Sequence, residues 1–234
     1  MKKRKLQNRN QSLYNSTIFN TIYKKNHWGG SKGEFYSGPG SHNQYVEGYS
    51  KAVSGFILKN NVRNIIEIGC GDFNVSQTLV NLLSQSNYSY SYTGYDVVKS
   101  LIARNKEIYS SFNVSFRCKD CCTGNIKEGD LLIIRQVLQH LNNKSIWQVV
   151  NKFKNYKYII VTEHQASESY GNLITPNKDI ITGASTRLEF KSGVYLDKEP
   201  FNCGIDSLLY SIPEYSCRLG ASINTYLIKG SGIY

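Results

Sequence analysis

The stretch NIIEIGCGDFN, residues 64–74, decides the fold of this chain. Three isoleucines surround one acid, Glu67, and the run stops at Gly69-Cys70-Gly71. A short, almost continuously apolar run bounded by glycine is typical of a strand buried on both faces of a sheet. Glycines directly after such a strand let the backbone approach a ligand closely. The stretch therefore predicts a buried strand followed by a ligand-binding turn.

Strand and helix patterns alternate on both sides of this stretch. Short apolar runs predict further strands, and apolar residues at helical spacing predict helices, the first of them capped by Ser41. The predicted strands are 64–68, 90–98, 113–120, the start of 129–141, and 156–164, and the predicted helices are 41–60, 75–86, 99–112 and 143–156. Residues 166–204 predict loops or an insertion, and 214–221 and 224–232 an antiparallel pair.

This alternation predicts an α/β fold with a mostly parallel sheet and helices on both faces. We expect a basic tail over residues 1–26 and a single domain over 27–234. Within the domain, 27–60 is predicted to form an N-terminal lid and helix. Residues 61–165 are predicted to form the cofactor-binding core, and 166–234 substrate loops and closing strands.

The charge is concentrated at one end of the chain. Of 28 basic residues, seven lie in residues 1–26, which contain no acid, and the remaining 21 basic and 17 acidic residues leave a body of +4. The tail is expected to be solvated and partly disordered, or to attract an anionic partner. A body near neutrality with no basic stripe does not predict a nucleic-acid-binding protein. Without a signal-peptide core or a membrane span, a cytoplasmic protein is expected.

The cysteines and histidines do not predict a metal site. Cys118 and Cys121 form a lone C-x-x-C with no second pair of ligands at similar spacing. The four histidines are far apart in the sequence. Six cysteines without a secretory context are expected to be reduced thiols.

Three kinds of phosphate or nucleoside site could use the glycine turn. A Walker loop needs a Gly-Lys-Ser/Thr ending, which is missing, and a dinucleotide fingerprint needs a third glycine where this chain has Asn74. A nucleoside cofactor without a pyrophosphate needs glycine backbone and carboxylates for an ammonium and ribose hydroxyls. The sequence provides such acids in order: Glu67 lies before the glycine turn, Asp72 just after it, and Asp96 and Asp120 at the ends of the second and third predicted strands.

The segments EIGCGDF, YTGYD, CKDC and DLLIIRQVLQHL together resemble the successive motifs of class I S-adenosylmethionine-dependent methyltransferases. The resemblance covers about residues 60–165. It implies a Rossmann-like sheet of seven strands, six parallel and the last antiparallel, and S-adenosyl-L-methionine as cofactor. It also implies cofactor contacts at Glu67, Gly69 and Gly71 (methionine part), Asp96 with Val97 (ribose), Asp120 with Cys121 (adenine), and Arg135 with Gln136 (methyl end).

Methyl transfer from a sulfonium needs alignment and desolvation, and an oxygen acceptor also needs a general base. Histidine has a suitable pKa. His140, four residues after Gln136, and His164, near the end of the fifth strand, are the candidate catalytic residues.

A second resemblance concerns the acceptor. HWGGSKGEFYSGPGSHNQY and YLDKEPFN resemble segments of a methyltransferase subset encoded with bacterial surface-polysaccharide genes. It implies a lid and a hydroxyl or amine acceptor on a sugar, glycan precursor or phosphorylated amine. An RNA or protein methyltransferase and a non-catalytic partner subunit are the alternatives, and the oligomeric state is not predicted. The candidate substrate-binding residues are Trp28, Tyr36, Ser41, Asp197, Phe201 and Asn202.

Overall fold

The computed structural model describes residues 2–42, 44–167, 173–213 and 220–230, with side chains from residue 5 onward. Within these ranges the α-helices are α1 (Lys2–Lys24), α2 (Val46–Lys59), α3 (Asn74–Gln85), α4 (Lys99–Tyr109) and α5 (Asn143–Val150). The strands are β1 (Asn64–Ile68), β2 (Ser91–Asp96), β3 (Val114–Cys118), β4 (Gly129–Arg135), β5 (Tyr156–Gln165), β6 (Ser207–Pro213) and β7 (Ser222–Lys229).

The strands form one seven-stranded sheet in the order β3-β2-β1-β4-β5-β7-β6. β1 pairs in parallel with β2, and β2 in parallel with β3, whereas β7 is antiparallel to both β5 and β6. This mixed sheet confirms the predicted α/β, Rossmann-like fold with an antiparallel last strand. By compactness the chain divides into a first unit, Met1–Asp130, and a second unit, Leu131–Tyr234.

The first unit is built around the parallel strands β1 to β3. Ile65, Ile66 and Ile68 of β1 are at most 4% exposed, as expected for a strand covered on both faces. α4 packs against β2 and β3, and α2 packs against α3. The helical spacing predicted for α2 is confirmed, since Val53 and Ile57 are fully buried.

The predicted cap of α2 is wrong. α2 begins at Val46 behind Tyr45, which makes no side-chain cap hydrogen bond. Ser41 instead ends a short 3-10 helix, Pro39–Ser41, and its hydroxyl donates to Ser37 O at 3.4 Å. The left-handed Gly38 (φ +94°) and Pro39 start that turn before the α2 pattern begins, which separates Ser41 from the helix.

The expectation of a partly disordered tail is also wrong, because residues 2–24 form α1. Ile22 and Tyr23 are buried in the first unit, and Asn15 is only 2% exposed. Tertiary packing of a few side chains, rather than a regular amphipathic pattern, holds this basic helix. No helix in the described ranges is long and apolar enough to cross a membrane.

The second unit contains the antiparallel pairs β5–β7 and β6–β7. Of the antiparallel pair predicted at 214–221 and 224–232, the second strand overlaps β7, which pairs with β5 and with β6 (Ser207–Pro213); residues 214–219 lie outside the described ranges. The region predicted as loops is anchored by buried polar side chains. Asn177 binds the backbone of Tyr195 through both its amide oxygen and its amide nitrogen, each at 2.8 Å. Arg187, 1% exposed, donates to Leu141 O at 2.7 Å.

Candidate active site

The turn after β1 is shaped by two left-handed glycines, Gly69 (φ +70°) and Gly71 (φ +51°). A side chain at either position would be strained by its backbone conformation. The amides of Gly69 and Cys70 both donate to Tyr95 O, at 2.8 and 3.0 Å, so the turn is fixed to the end of β2. Asn105 of α4, fully buried, donates its side-chain amide to Gly71 O at 2.7 Å.

Asp96 ends β2 next to this turn. Its Oδ2 accepts from Gly71 N at 3.2 Å and its Oδ1 from Val98 N at 3.0 Å. Burial disfavours the charged carboxylate and raises the Asp96 pKa to about 6, although the backbone hydrogen bonds oppose that rise. The structure therefore places Asp96 and Gly71, both predicted cofactor residues, in direct contact.

Asp120 lies two residues beyond the end of β3 and is 6% exposed. Its Oδ1 accepts from Cys122 N at 2.8 Å, which closes a turn. Its Oδ2 accepts from Thr123 Oγ1 at 3.2 Å and from Asn15 Nδ2 at 3.1 Å. The neighbouring Cys121 is buried, and its thiol contacts Lys119 O at 3.7 Å.

Glu67, the acid inside β1, is 4% exposed. Its Oε2 accepts hydrogen bonds from Ser76 Oγ of α3, at 2.5 Å, and from the phenol of Tyr92 on β2. Burial, followed by the Glu67 charge, raises the pKa of Tyr92 well above its ordinary value, so the phenol keeps its proton and donates it. These bonds connect β1, β2 and α3. The contact of Glu67 with the methionine part of a cofactor stays a prediction.

The segment 27–42, which we call the lid segment, is bound to the glycine turn through Asp72. Ser37 N donates to Asp72 Oδ2 at 2.9 Å, and Asp72 N donates to Ser37 Oγ at 2.8 Å. His42 Nε2 also lies 2.7 Å from Asp72 Oδ2, and the His42 ring stacks on Tyr36 with 4.6 Å between centroids. The lid segment is thus bound to the turn after β1 by a reciprocal pair of hydrogen bonds and an acid–histidine contact.

Apolar side chains of the lid segment also pack against α1 and the start of α4. Trp28 packs edge-on against Tyr23 of α1, with 5.4 Å between centroids. Both belong to a cluster built on Tyr23, Val98 and Leu101, whose half-buried members are Phe19, Trp28, Phe35 and Val97. Of the predicted substrate residues, Trp28 and Tyr36 therefore lie in packed positions next to the loops after β1 and β2. The Ser41 hydroxyl bonds within the lid segment, and Ser41 O accepts from Asn74 Nδ2 of α3 at 2.6 Å.

In the second unit, β4 ends at Arg135 and is followed by the left-handed Gln136 (φ +52°). Arg135 Nη1 donates to Gln136 Oε1 at 2.9 Å, and Gln136 N donates to Thr162 O at 2.7 Å. His140 is 8% exposed, and its Nδ1 lies 3.2 Å from Ser185 O. Burial lowers the His140 pKa to about 4, so the imidazole is neutral at pH 7 and a weak base.

His164 is half-buried near the end of β5, opposite Ile223 of β7. The residue before it, Glu163, was not among the predicted site residues. Its two carboxylate oxygens accept from Leu138 N and Gln139 N, at 2.9 and 3.1 Å. Burial raises the Glu163 pKa to about 8, and the two backbone hydrogen bonds oppose that rise.

The remaining predicted substrate residues of the second unit differ in burial. Phe201 is 3% exposed and packs edge-on against Trp147, with 6.1 Å between centroids. Asp197 is exposed. Asn202 is also exposed, and its amide donates to Glu199 Oε1 at 2.7 Å. In the described residues, Cys118 and Cys121 are thiols, and no three His, Cys, Asp or Glu side chains are grouped to hold a metal ion.

Comparison with known proteins supports the fold and goes no further. No family model matches the chain, and no curated protein matches it. Solved structures do match. Human N-acetylserotonin methyltransferase in complex with SAM aligns at 14% identity and a TM-score of 0.52, over 80% of this chain and 52% of that one. This chain therefore spans about half the length of the human enzyme.

Two further structures align over most of their own length. The N-terminal domain of EvdMO1 with SAH and D-fucose matches at 14% identity and a TM-score of 0.55, over 80% of this chain and 84% of that one. Magnesium protoporphyrin IX methyltransferase from Synechocystis with SAH matches at 13% identity and a TM-score of 0.52, over 92% and 100%. The chain thus has the fold of the class I S-adenosylmethionine-dependent methyltransferases.

Sequence reasoning found the backbone turn and the acids but missed their partners. Asn15 contacts Asp120 in the loop after β3, and Asn105 contacts Gly71 in the loop after β1. Tyr23 reaches the loop after β1 through Ser37. A buried Asn in an otherwise apolar helix face is a usable signal for Asn105, which lies next to the buried Ile102 and Leu101 on α4. Asn15 carries no such signal, because α1 has no clear apolar stripe.

Proposed function

We propose that this protein transfers a methyl group from S-adenosyl-L-methionine to a small polar acceptor. The observation that supports this best is the contact of Gly71 N with Asp96 Oδ2 at 3.2 Å. It joins a left-handed glycine turn after β1 to a buried acid at the end of β2. In a parallel sheet, this is where a nucleoside cofactor meets backbone amides and where its ribose meets a carboxylate.

The residues present fit this cofactor. The carboxylates of Asp96 and Asp120 offer acceptors for the ribose hydroxyls and the adenine amino group, both of which are donors. The glycines at 69 and 71 leave room for the methionine part. The contacts that the resemblance implies at Arg135 and Gln136 stay predictions. When bound, the cofactor supplies a methyl group on a positively charged sulfur.

The protein's contribution to such a reaction is orientation and exclusion of water. Asp72, Ser37 and His42 keep the lid segment closed against the glycine turn. Trp28 and Phe35 add apolar cover beside the loop after β2. A cover of this kind keeps water away from the sulfonium and strengthens the contacts to the carboxylates.

The proposed acceptor is a hydroxyl or amine on a sugar, a glycan precursor or a phosphorylated amine of surface-polysaccharide synthesis. The support for this is the sequence of the lid segment and of residues 195–202. Asp197 and Asn202 are proposed to contact the acceptor, since both are exposed and polar. Phe201 is proposed to support the same segment from its packed position.

His164 is the better candidate for a proton acceptor than His140. His164 is half-buried at the end of β5. His140 has a pKa of about 4 and is held by Ser185 O, which favours a role in positioning. We expect His164→Ala to lower turnover while leaving cofactor affinity nearly intact, and His140→Ala to lower stability as well.

Calorimetry with S-adenosylhomocysteine tests the cofactor. Asp96→Ala should weaken binding by about 1–3 kcal/mol because hydrogen bonds to a charged group are lost. A folded Asp96→Ala variant with unchanged affinity contradicts the assignment.

For the acceptor, purified protein is incubated with isotopically labelled S-adenosylmethionine and either sugar-nucleotide, phospho-amine or RNA substrates. Label on RNA alone would support the alternative of an RNA methyltransferase, and binding without any labelled product would support a non-catalytic partner.

A further inference from the structure

Helix α1 lies outside every motif that suggested the function, yet it contacts the loops after β2 and β3 directly and the loop after β1 through Ser37 of the lid segment. Ser16 Oγ donates to Val97 O at 3.4 Å, in the loop after β2. Tyr23 OH lies 2.8 Å from Ser37 Oγ, which in turn accepts from Asp72 N in the loop after β1. Asn15 Nδ2 donates to Asp120 Oδ2 at 3.1 Å, in the loop after β3.

The contact of Asn15 with Asp120 is the most buried of the three. Asn15 is 2% exposed and Asp120 is 6% exposed, and the two are 105 residues apart in sequence. The orientation of the Asn15 amide follows from its second bond, because Gln11 Nε2 donates to Asn15 Oδ1 at 3.0 Å. The Asn15 amide nitrogen is therefore the group directed at the carboxylate.

The hydrogen bonds of Asp120 determine what it can still accept. Oδ2 receives two donors, Asn15 Nδ2 and Thr123 Oγ1. Oδ1 receives Cys122 N within the described part of the chain. A carboxylate has about four acceptor sites, so Oδ1 retains one. Donors on both oxygens fix the plane of the carboxylate and hence the direction of that remaining site.

We propose, on the basis of the proposed function, that Asn15 is a positioning residue for cofactor recognition. It fixes the Asp120 carboxylate so that Oδ1 accepts a hydrogen bond from the exocyclic amino group of adenine. Helix α1 is then part of the nucleoside site, and it contributes to the choice between adenine and other purines.

The test compares two ligands on the full chain by calorimetry: S-adenosylhomocysteine and S-inosylhomocysteine. The second replaces the amino group with a carbonyl oxygen, which a carboxylate repels. The wild-type protein should bind the adenosine form at least about tenfold more tightly, as expected for one hydrogen bond to a charged group. Asn15→Ala and Asn15→Ser should reduce this ratio several-fold. Asn10→Ala, the same kind of change at an exposed position of α1, should leave it unchanged.

The ratio of the affinities for S-adenosylhomocysteine and S-inosylhomocysteine distinguishes a positioning role of Asn15 from a purely structural one. An Asn15→Ala variant that weakens both ligands equally contradicts the proposal, because a structural role does not distinguish the purines. If one Asn15 variant does not fold, the other and Asp120→Asn give the same comparison. A wild-type protein that binds both ligands equally refutes the adenine contact but leaves the proposed function intact. A wild-type protein that binds neither refutes both.

Discussion

Ionisation of Asp96 should control cofactor binding in the pH range 5 to 8. Burial raises the pKa of this carboxyl to about 6 from an ordinary value of 3.8. The ribose hydroxyls of the proposed cofactor donate hydrogen bonds, so they bind the ionised carboxylate better than the protonated acid. Binding should therefore strengthen as pH rises through 6 and level off above it.

The magnitude follows from the pKa. At pH 5, one unit below it, about nine-tenths of Asp96 is protonated, and affinity should be about tenfold weaker than at pH 8. That is about 1.4 kcal/mol. With the ordinary pKa of 3.8, the same change of pH would alter affinity by less than about 10%. The effect thus reports the burial of this one carboxyl.

The assay is calorimetry of S-adenosylhomocysteine binding at pH 5, 6, 7 and 8. Asp96→Asn should bind more weakly at pH 8 and should show no step near pH 6. The matched control is Asp206→Asn, the same change at a carboxylate paired with Lys229 near the start of β6. It should keep the wild-type profile. A flat wild-type profile, or a step that persists in Asp96→Asn, refutes the reasoning.

Three further perturbations test other parts of the structure. Gly71→Ala should lower the free energy of unfolding, measured in urea, by about 1–3 kcal/mol, because the backbone is left-handed and the new Cβ would overlap the Ser37 hydroxyl. Gly55→Ala, at an exposed position of α2, is the control and should raise the free energy of unfolding by about 0.5–1 kcal/mol. Tyr92→Phe removes a donor to the buried Glu67 and should cost about 1–3 kcal/mol by the same measurement. Glu163 has a raised pKa, so the folded state retains its proton and stability should fall as pH rises from about 4.5 to 8. Glu163→Gln should remove that component of the slope, and an unchanged slope above pH 6 contradicts the assignment.

The sheet and most helices could be predicted because their signals are local. The apolar run at 64–68 and the spacing of Val53 and Ile57 in α2 each follow from burial of the element that carries them. The acids at the strand ends could be found for the same reason, since Asp96 lies at the end of a strand pattern.

The parts that could not be predicted depend on contacts between distant residues. α1 is basic and lacks a regular apolar face, so its composition suggested a solvated tail, yet Asn15 and Tyr23 dock it on the loops of the first unit. The acid in β1 suggested a ligand contact, but the sequence did not reveal Tyr92 as its donor. Hydrogen bonds between residues far apart in sequence leave no periodic pattern.

Two buried side chains, Asn177 and Arg187, anchor the region predicted as loops and leave exposed positions between them open to change. Asn177 and Arg187 replace regular secondary structure there: each binds backbone carbonyls from separated segments, such as Tyr195 and Leu141. Exposed positions between the anchors, among them Ile181, contribute little to this framework because their side chains face solvent. A library that randomises such positions while keeping both anchors should therefore yield folded variants with new surfaces on an unchanged sheet.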